Sequence, residues 1–139
     1  MFHLSIVTAE GPLYEGDIEM LVAPAVDGEV GILTNHHPLV TKLGPGGMRV
    51  VKADKSEQVL FVNGGYLEVI NNKATILADA AENIEAIEAE QAKAARLKAS
   101  EMLKHAKDDV DREKLESELK AQMIRERLAE INKYRKEKR

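Results

Sequence analysis

All nine glycines and all four prolines lie ahead of Ala80, and the rest of the 139-residue chain has neither. That asymmetry divides what the chain can fold into. Turn formers every few residues leave room only for short extended segments, whereas an uninterrupted, alanine-rich and charged remainder favours helix. The length fits one small domain with an appendage. The change of character places the boundary between a strand domain over residues 1–83 and a helical one over residues 84–139.

In the first part, Phe2–Thr8 alternates and is rich in β-formers. Residues 13–15 and 18–24 read as separate strands around a Gly16-Asp17 turn, and residues 58–62 and 66–70 as strands around Asn63-Gly64-Gly65. Asn71-Asn72 is a two-residue hairpin signal, since asparagine tolerates the left-handed region. Eight to ten short strands without intervening helices predict an antiparallel sandwich or barrel, and of the two a β-sandwich is expected. With no tryptophan and only 4% aromatic residues, its core is mostly aliphatic.

From about Ile84 to Ala106, the apolar positions Ala92, Ala95, Ala99, Met102, Leu103 and Ala106 recur at helical spacing. Asp108-Asp109-Val110-Asp111 supplies acidic N-caps for a second helix with a stripe of Leu115, Leu119, Met123, Leu128 and Ile131. The two helices are expected to pair as an antiparallel hairpin, making the whole chain α+β. The alanine seam buries little area, so the hairpin is expected to be marginally stable in isolation and able to open. Charge is uneven too. Residues 1–80 hold 5 basic and 10 acidic side chains, whereas residues 120–139 hold 8 basic and 3 acidic. A basic tip on an acidic body suits an acidic partner, or simply the negative end of a helix dipole.

Little in the chain suggests catalysis. There is no cysteine, and no P-loop, nucleophile elbow or H-E-x-x-H pattern. Gly44-Pro45-Gly46-Gly47 lacks the lysine and hydroxyl that grip phosphate and magnesium. The densest cluster of turn and polar residues is residues 28–39, Gly-Glu-Val-Gly-Ile-Leu-Thr-Asn-His-His-Pro-Leu. Asp27-Gly28 marks a tight hairpin, and Gly31 inside a strand signals a bulge or a close backbone approach. His36 and His37, adjacent in sequence, should point apart and hold no metal. The stretch reads as a contact surface on a rigid scaffold. The acidic domain lacks the basic and aromatic interleaving of a nucleic-acid binder. The first residues do not form a signal peptide, and no apolar run reaches the 18–20 or so residues that span a bilayer. A cytoplasmic protein is expected.

Several motifs together resemble the bacterial F-type ATP synthase ε subunit family. Asp27-Gly28-Glu29-Val30-Gly31-Ile32-Leu33 followed by His36-His37-Pro38-Leu39 is similar to its G-E-x-G-I-L-x-x-H-x-P-L signature. Asn63-Gly64-Gly65-Tyr66-Leu67-Glu68-Val69, Thr75-Ile76-Leu77-Ala78-Asp79-Ala80-Ala81-Glu82 and Tyr14-Glu15-Gly16-Asp17-Ile18-Glu19-Met20 match further stretches in order.

The resemblance implies a non-catalytic subunit of the central rotor stalk. It would lie on the cytoplasmic side of the membrane, which it meets only through the complex. The sandwich would bind the γ subunit and the ring of c subunits, with Gly28, Glu29, His36, Pro38 and Leu39 as the γ or c-ring contacts. The hairpin of this family either folds on the sandwich or extends along γ. When extended, its basic end reaches the β (and α) subunits and impedes ATP hydrolysis. The resemblance assigns those contacts to Arg125, Arg127, Lys133 and Arg135. Some members also bind ATP at the hairpin through I-D-x-x-R-A. Here that stretch is Ile87-Glu88-Ala89-Glu90-Gln91-Ala92, with glutamine in place of the arginine, and Ala121 stands where a second-helix arginine is expected. Glutamine offers phosphate no charge. Glu82, Glu88, Gln91, Ala92 and Arg125 are therefore a degenerate ATP site, and no cofactor beyond weak ATP binding is expected. A nucleotide-sensing hairpin is the alternative reading.

Overall fold

The computed structural model describes residues 1–137, with side chains described through Tyr134. The chain divides into two compact units, Met1–Asn83 and Ile84–Arg139. The first is a β-sandwich of seven strands, and the second contains two helices.

The strands are β1 (Phe2–Thr8), β2 (Gly11–Ala25), β3 (Gly28–Leu33), β4 (Leu39–Leu43), β5 (Gly46–Lys52), β6 (Glu57–Ile70) and β7 (Lys73–Asn83). They are fewer and longer than the turn signals suggest, because two of those signals do not reverse the chain. Gly16-Asp17 continues β2, whose register slips at Leu13 within its pairing with β1 and at Glu19 within its pairing with β5. Asn63-Gly64-Gly65 continues β6, with Gly64 at φ +80° and Gly65 at φ +117°. The same backbone freedom that makes a turn also lets a strand bend sharply.

These bends build the sandwich. The N-terminal half of β2 pairs with β1, and its C-terminal half with β5 and β3. The first half of β6 pairs with β5 and the second with β4, while β7 follows β6 around the same corner. One layer is therefore β2–β1–β7–β6–β4, and the other β3–β2–β5–β6–β7. One pairing departs from the antiparallel expectation: β1 runs parallel to β7, His3 opposite Lys73 through Thr8 opposite Ala78.

Between the layers, Leu4, Ile6, Ile18, Leu21, Ile32, Leu43, Met48, Val50, Leu60, Val62, Leu67 and Ile76 are fully buried. Each contributes about 1.5–3 kcal/mol of burial. Phe2 is the one aromatic residue in this cluster. At one end Asn72 ties three segments together. Its side chain accepts from the Asn35 N–H at 2.8 Å and donates to the Met1 carbonyl at 3.0 Å, and its carbonyl accepts from the His3 N–H at 3.2 Å.

On the surface, His3 links β1 to β2: Nδ1 lies 3.1 Å from Asp17 Oδ1, and Nε2 lies 3.1 Å from Glu15 Oε1. The hydrogen bond to Glu15, then that to Asp17, raises the His3 pKa above its usual value. A raised folded-state pKa favours the fold below the unfolded value of about 6.5, and the gain disappears as pH rises through the folded value. Thermal melts from pH 5.5 to 8.5 should therefore show wild type losing more stability towards the alkaline end than His3→Gln. Parallel curves would exclude the linkage.

In the second unit, a 3-10 turn at Ile84–Ala86 precedes α1 (Ala89–Lys104), and α2 follows (Asp109–Glu137). The first helix starts later than the spacing suggests, because Glu88 is extended at φ −84°, ψ 127°. Asp108 caps α2 as expected, its Oδ1 accepting from the Asp111 N–H at 2.7 Å. The helices run antiparallel: Arg96 Nε bonds Glu126 Oε2 mid-way, Ala89 lies near Tyr134, and Ala106 lies near Leu115. The predicted stripe is only partly right. Leu115, Leu119 and Leu128 are half-buried, but Met123 and Ile131 are exposed. The buried positions are Ala92 and Ala99 on α1, and Ala121 and Ala129 on α2. Methyl groups of this kind contribute only about 0.8 kcal/mol each.

Candidate partner-contact surface

The sequence singles out residues 28–39 as one contact stretch, and the structure spreads them along a strand. Val26-Asp27 turns β2 into β3, and Gly28 at φ +124° sits opposite Ala25. Gly28 and Glu29 are exposed at this end. Ile32 is buried, and Leu33 is exposed opposite Met20. His36, Pro38 and Leu39 come after the far end, and Glu29 is four residue steps from Leu33 at that end, roughly 13 Å at 3.3 Å per residue. The residues assigned to γ or c-ring contact thus form two groups, not one patch.

Two local expectations are corrected. Gly31 marks no bulge, since β2 and β3 stay in register from Met20 opposite Leu33 to Ala25 opposite Gly28. Nor does it admit a neighbour from the same chain, because a Cβ built there meets nothing within 4 Å. The His36 and His37 rings do not point apart. They stack with centroids 4.6 Å apart and planes at 24°, held by His36 Nδ1–H donating to the His37 carbonyl at 2.7 Å. Asn35 at φ 61° makes the preceding kink. Among the described residues no group of three potential ligands is arranged to hold a metal ion.

Sequence reasoning passed over a third surface. On β4, β6 and β7, Leu39, Leu67, Val69, Ala74 and Ile76 point into the core, so the alternate residues point outward. Four of those are apolar too, set among Lys42, Glu68, Lys73 and Thr75: Val40 is 70% exposed, Leu77 56%, Tyr66 55% and Ile70 46%. Tyr66 sits directly opposite Leu77. Val40 pairs with Glu68, which lies two residues from both Tyr66 and Ile70. The signal was present in Tyr66-Leu67-Glu68-Val69-Ile70, where both faces of one strand carry apolar side chains.

On the helices, Arg127 is exposed beside a hollow of about 280 Å³ that Arg96, Met123, Glu126 and Glu130 also line. Lys133 lines another of about 310 Å³ with Ala89, Glu90, Lys93, Glu130 and Tyr134. Arg125 is half-buried and already interacts with neighbours, and Arg135 lies outside the described side chains. Of the degenerate ATP site, Glu82 pairs with Phe61 at the end of β7, Glu88 precedes α1 with no side-chain cap bond, and Gln91 is exposed. Ala92 is fully buried. Among the described residues no helix is long and apolar enough to cross a membrane.

The comparisons with known proteins decide the family. The model described as "ATP synthase, Delta/Epsilon chain, beta-sandwich domain" matches residues 1–84. The chain belongs to the ATP synthase epsilon chain family. The ATP synthase epsilon chain of Delftia acidovorans is 38% identical over 136 residues, spanning 98% of this chain and 97% of that one. That of Bordetella parapertussis is 41% identical over 117 residues, 84% of each chain. Among solved structures, a chain of the Euglena gracilis mitochondrial ATP synthase, resolved with its c-ring, superposes with TM-score 0.76 at 21% identity. That superposition covers 87% of this chain and 76% of the other. A chain of the Tetrahymena thermophila central stalk and c-ring superposes with TM-score 0.54 at 15% identity, over 64% and 71%. These two share the fold. As an epsilon chain, the molecule is a subunit of ATP synthase.

Proposed function

We propose that the chain couples the catalytic head to the ion-translocating rotor ring from the cytoplasmic side of the membrane, and that its helices restrain ATP hydrolysis. The observation that carries the coupling role is the outward apolar surface of Val40, Tyr66, Ile70 and Leu77. Contiguous exposed apolar side chains mark protein interaction sites. The γ subunit is the partner for this face, and the Gly28–Glu29 and His36–Leu39 groups are the contacts for γ or the c-ring. Tyr66→Asp combined with Leu77→Asp should leave the sandwich folded and abolish co-purification with γ. Retained co-purification would redirect the docking face.

Basic residues of α2 are the groups that reach the β and α subunits. Arg127 and Lys133 are both exposed. Arg127→Glu together with Lys133→Glu should relieve inhibition of ATP hydrolysis, with the difference from wild type shrinking as salt is raised through 0.1 M or so, where the Debye length is about 10 Å. Inhibition unchanged by the charge reversal would remove these residues from the brake.

The hairpin binds ATP weakly at most. Gln91 replaces a cation, and each lost charge-assisted contact costs roughly 1.5–3 kcal/mol. Two such losses amount to about two to four decades of affinity. Calorimetric titration of the full chain with ATP should give no saturable heat at micromolar concentrations. A micromolar Kd would establish the nucleotide-sensing alternative.

A further inference from the structure

We propose that the open edge of β3 is a strand-addition site for an extended segment of a partner protein. Hydrogen bonding around Pro24 shows which β3 groups face that edge. The Pro24 carbonyl accepts from the Gly44 N–H at 2.8 Å, and the Val26 N–H donates to the Lys42 carbonyl at 3.0 Å. Pro24 therefore turns its carbonyl away from β3 and has no N–H to offer. Pro24 opposite Glu29 is a non-hydrogen-bonded pair of the ladder. Glu29 in turn points its N–H and C=O away from β2, and Gly31 and Leu33 follow with the period of two. The Leu33 carbonyl is taken by the His36 N–H at 3.2 Å. Three N–H groups and two carbonyls remain along an edge that pairs with no other strand among the described residues.

Sheet edges in soluble proteins are normally blunted by proline, lysine or a bulge. β3 has no proline, lysine or bulge, and its one charged side chain is Glu29. Gly31 sits in the middle of the open edge, exposed, with no positive φ and no internal neighbour that requires a glycine. A bare backbone there leaves room for another main chain to approach. A strand laid along the edge would also reach both the Glu29 and the His36 ends, which no partner at one tip can do.

The side chains define the partner's chemistry. Glu29 and Leu33 project from the same face, with Gly31 between them, so the added segment carries a basic residue near Glu29 and an apolar one near Leu33. A second copy paired antiparallel about Gly31 would instead set each carboxylate beside a leucine. The favoured source is another stalk or ring subunit, which rests on the proposed central-stalk role.

The test is amide hydrogen exchange, read residue by residue on the full chain alone and within the assembled synthase. Alone, the Glu29 and Gly31 amides should exchange fast while Val30 and Ile32 are protected. In the assembly, Glu29 and Gly31 should slow by about tenfold or more. Two variants separate main-chain bonding from space. Gly31→Pro removes an edge N–H at a position where proline is tolerated, and should weaken retention in the synthase at least about tenfold. Gly31→Ala keeps the N–H but adds a methyl group to the edge, and should weaken retention less than Gly31→Pro. If wild type is retained with Glu29 and Gly31 still exchanging fast, or if Gly31→Pro is retained equally, the proposal is overturned. Protection that grows with the concentration of the isolated chain would assign the edge to a second copy and overturn it too. Failure of wild type itself to join the synthase would overturn the stalk role instead.

Discussion

Gly65→Ala is expected to prevent the sandwich from folding stably. A Cβ at Gly65 would lie 2.1 Å from the Leu77 carbonyl oxygen and 2.8 Å from the Ala78 Cα, at a backbone φ of +117°. Both obstacles are backbone atoms of the strand paired with Gly65, so no side chain can swing aside. Relieving the clash means opening the β6–β7 ladder at Gly65 opposite Ala78, the corner from which both layers continue. A cost above about 4 kcal/mol is expected, set against a total stability of about 5–15 kcal/mol for a small domain. Urea melts monitored by circular dichroism check this. Gly31→Ala is the control: with open space around the added methyl, its change should stay within about 0.5 kcal/mol. A Gly65→Ala variant melting alongside the control would disprove the account of the corner.

The second large effect concerns the brake. A chain ending at Asn83, the boundary between the two compact units, should still fold and bind the αβγ complex but no longer slow ATP hydrolysis. The full chain should slow it by a factor within the 5–150 or so typical of coupling between sites. The assay is steady-state hydrolysis by αβγ with saturating full or shortened chain, with binding checked by co-sedimentation. If both forms bind and neither slows hydrolysis, the subunit couples without braking. If the shortened form inhibits as well as the full chain, the helices are not the brake. The alanine seam is consistent with a helical unit that can change state, because Ala92, Ala99, Ala121 and Ala129 bury little apolar surface.

The division into strands and helices was legible because it rests on local chemistry. Gly, Pro and Asn before Ala80 and their absence afterwards decide where a helix can propagate. The aliphatic core followed from the absence of tryptophan and the scarcity of other aromatic residues, and the cap at Asp108 from its position ahead of an uninterrupted run. The family was legible because residues 28–39 and 63–69 are specific strings. Other features depended on what lies opposite. Gly64-Gly65 has the same backbone freedom in a turn and in a strand corner, and only pairing with β4, β5 and β7 selects the corner. The parallel β1–β7 pair joins strands from the two ends of the sandwich sequence, a separation that no local window reports. Met123 and Ile131 are suitable core residues, yet the antiparallel partner helix, locked by Arg96 and Glu126, fixes the inward rotation and leaves both exposed. Likewise the sequence names Gly28 through Leu39 as a contact stretch, but whether its members converge depends on whether the backbone turns or extends between them. It extends, pinned to β2 residue by residue, because the ladder supplies hydrogen bonds that a compact loop would have to find elsewhere.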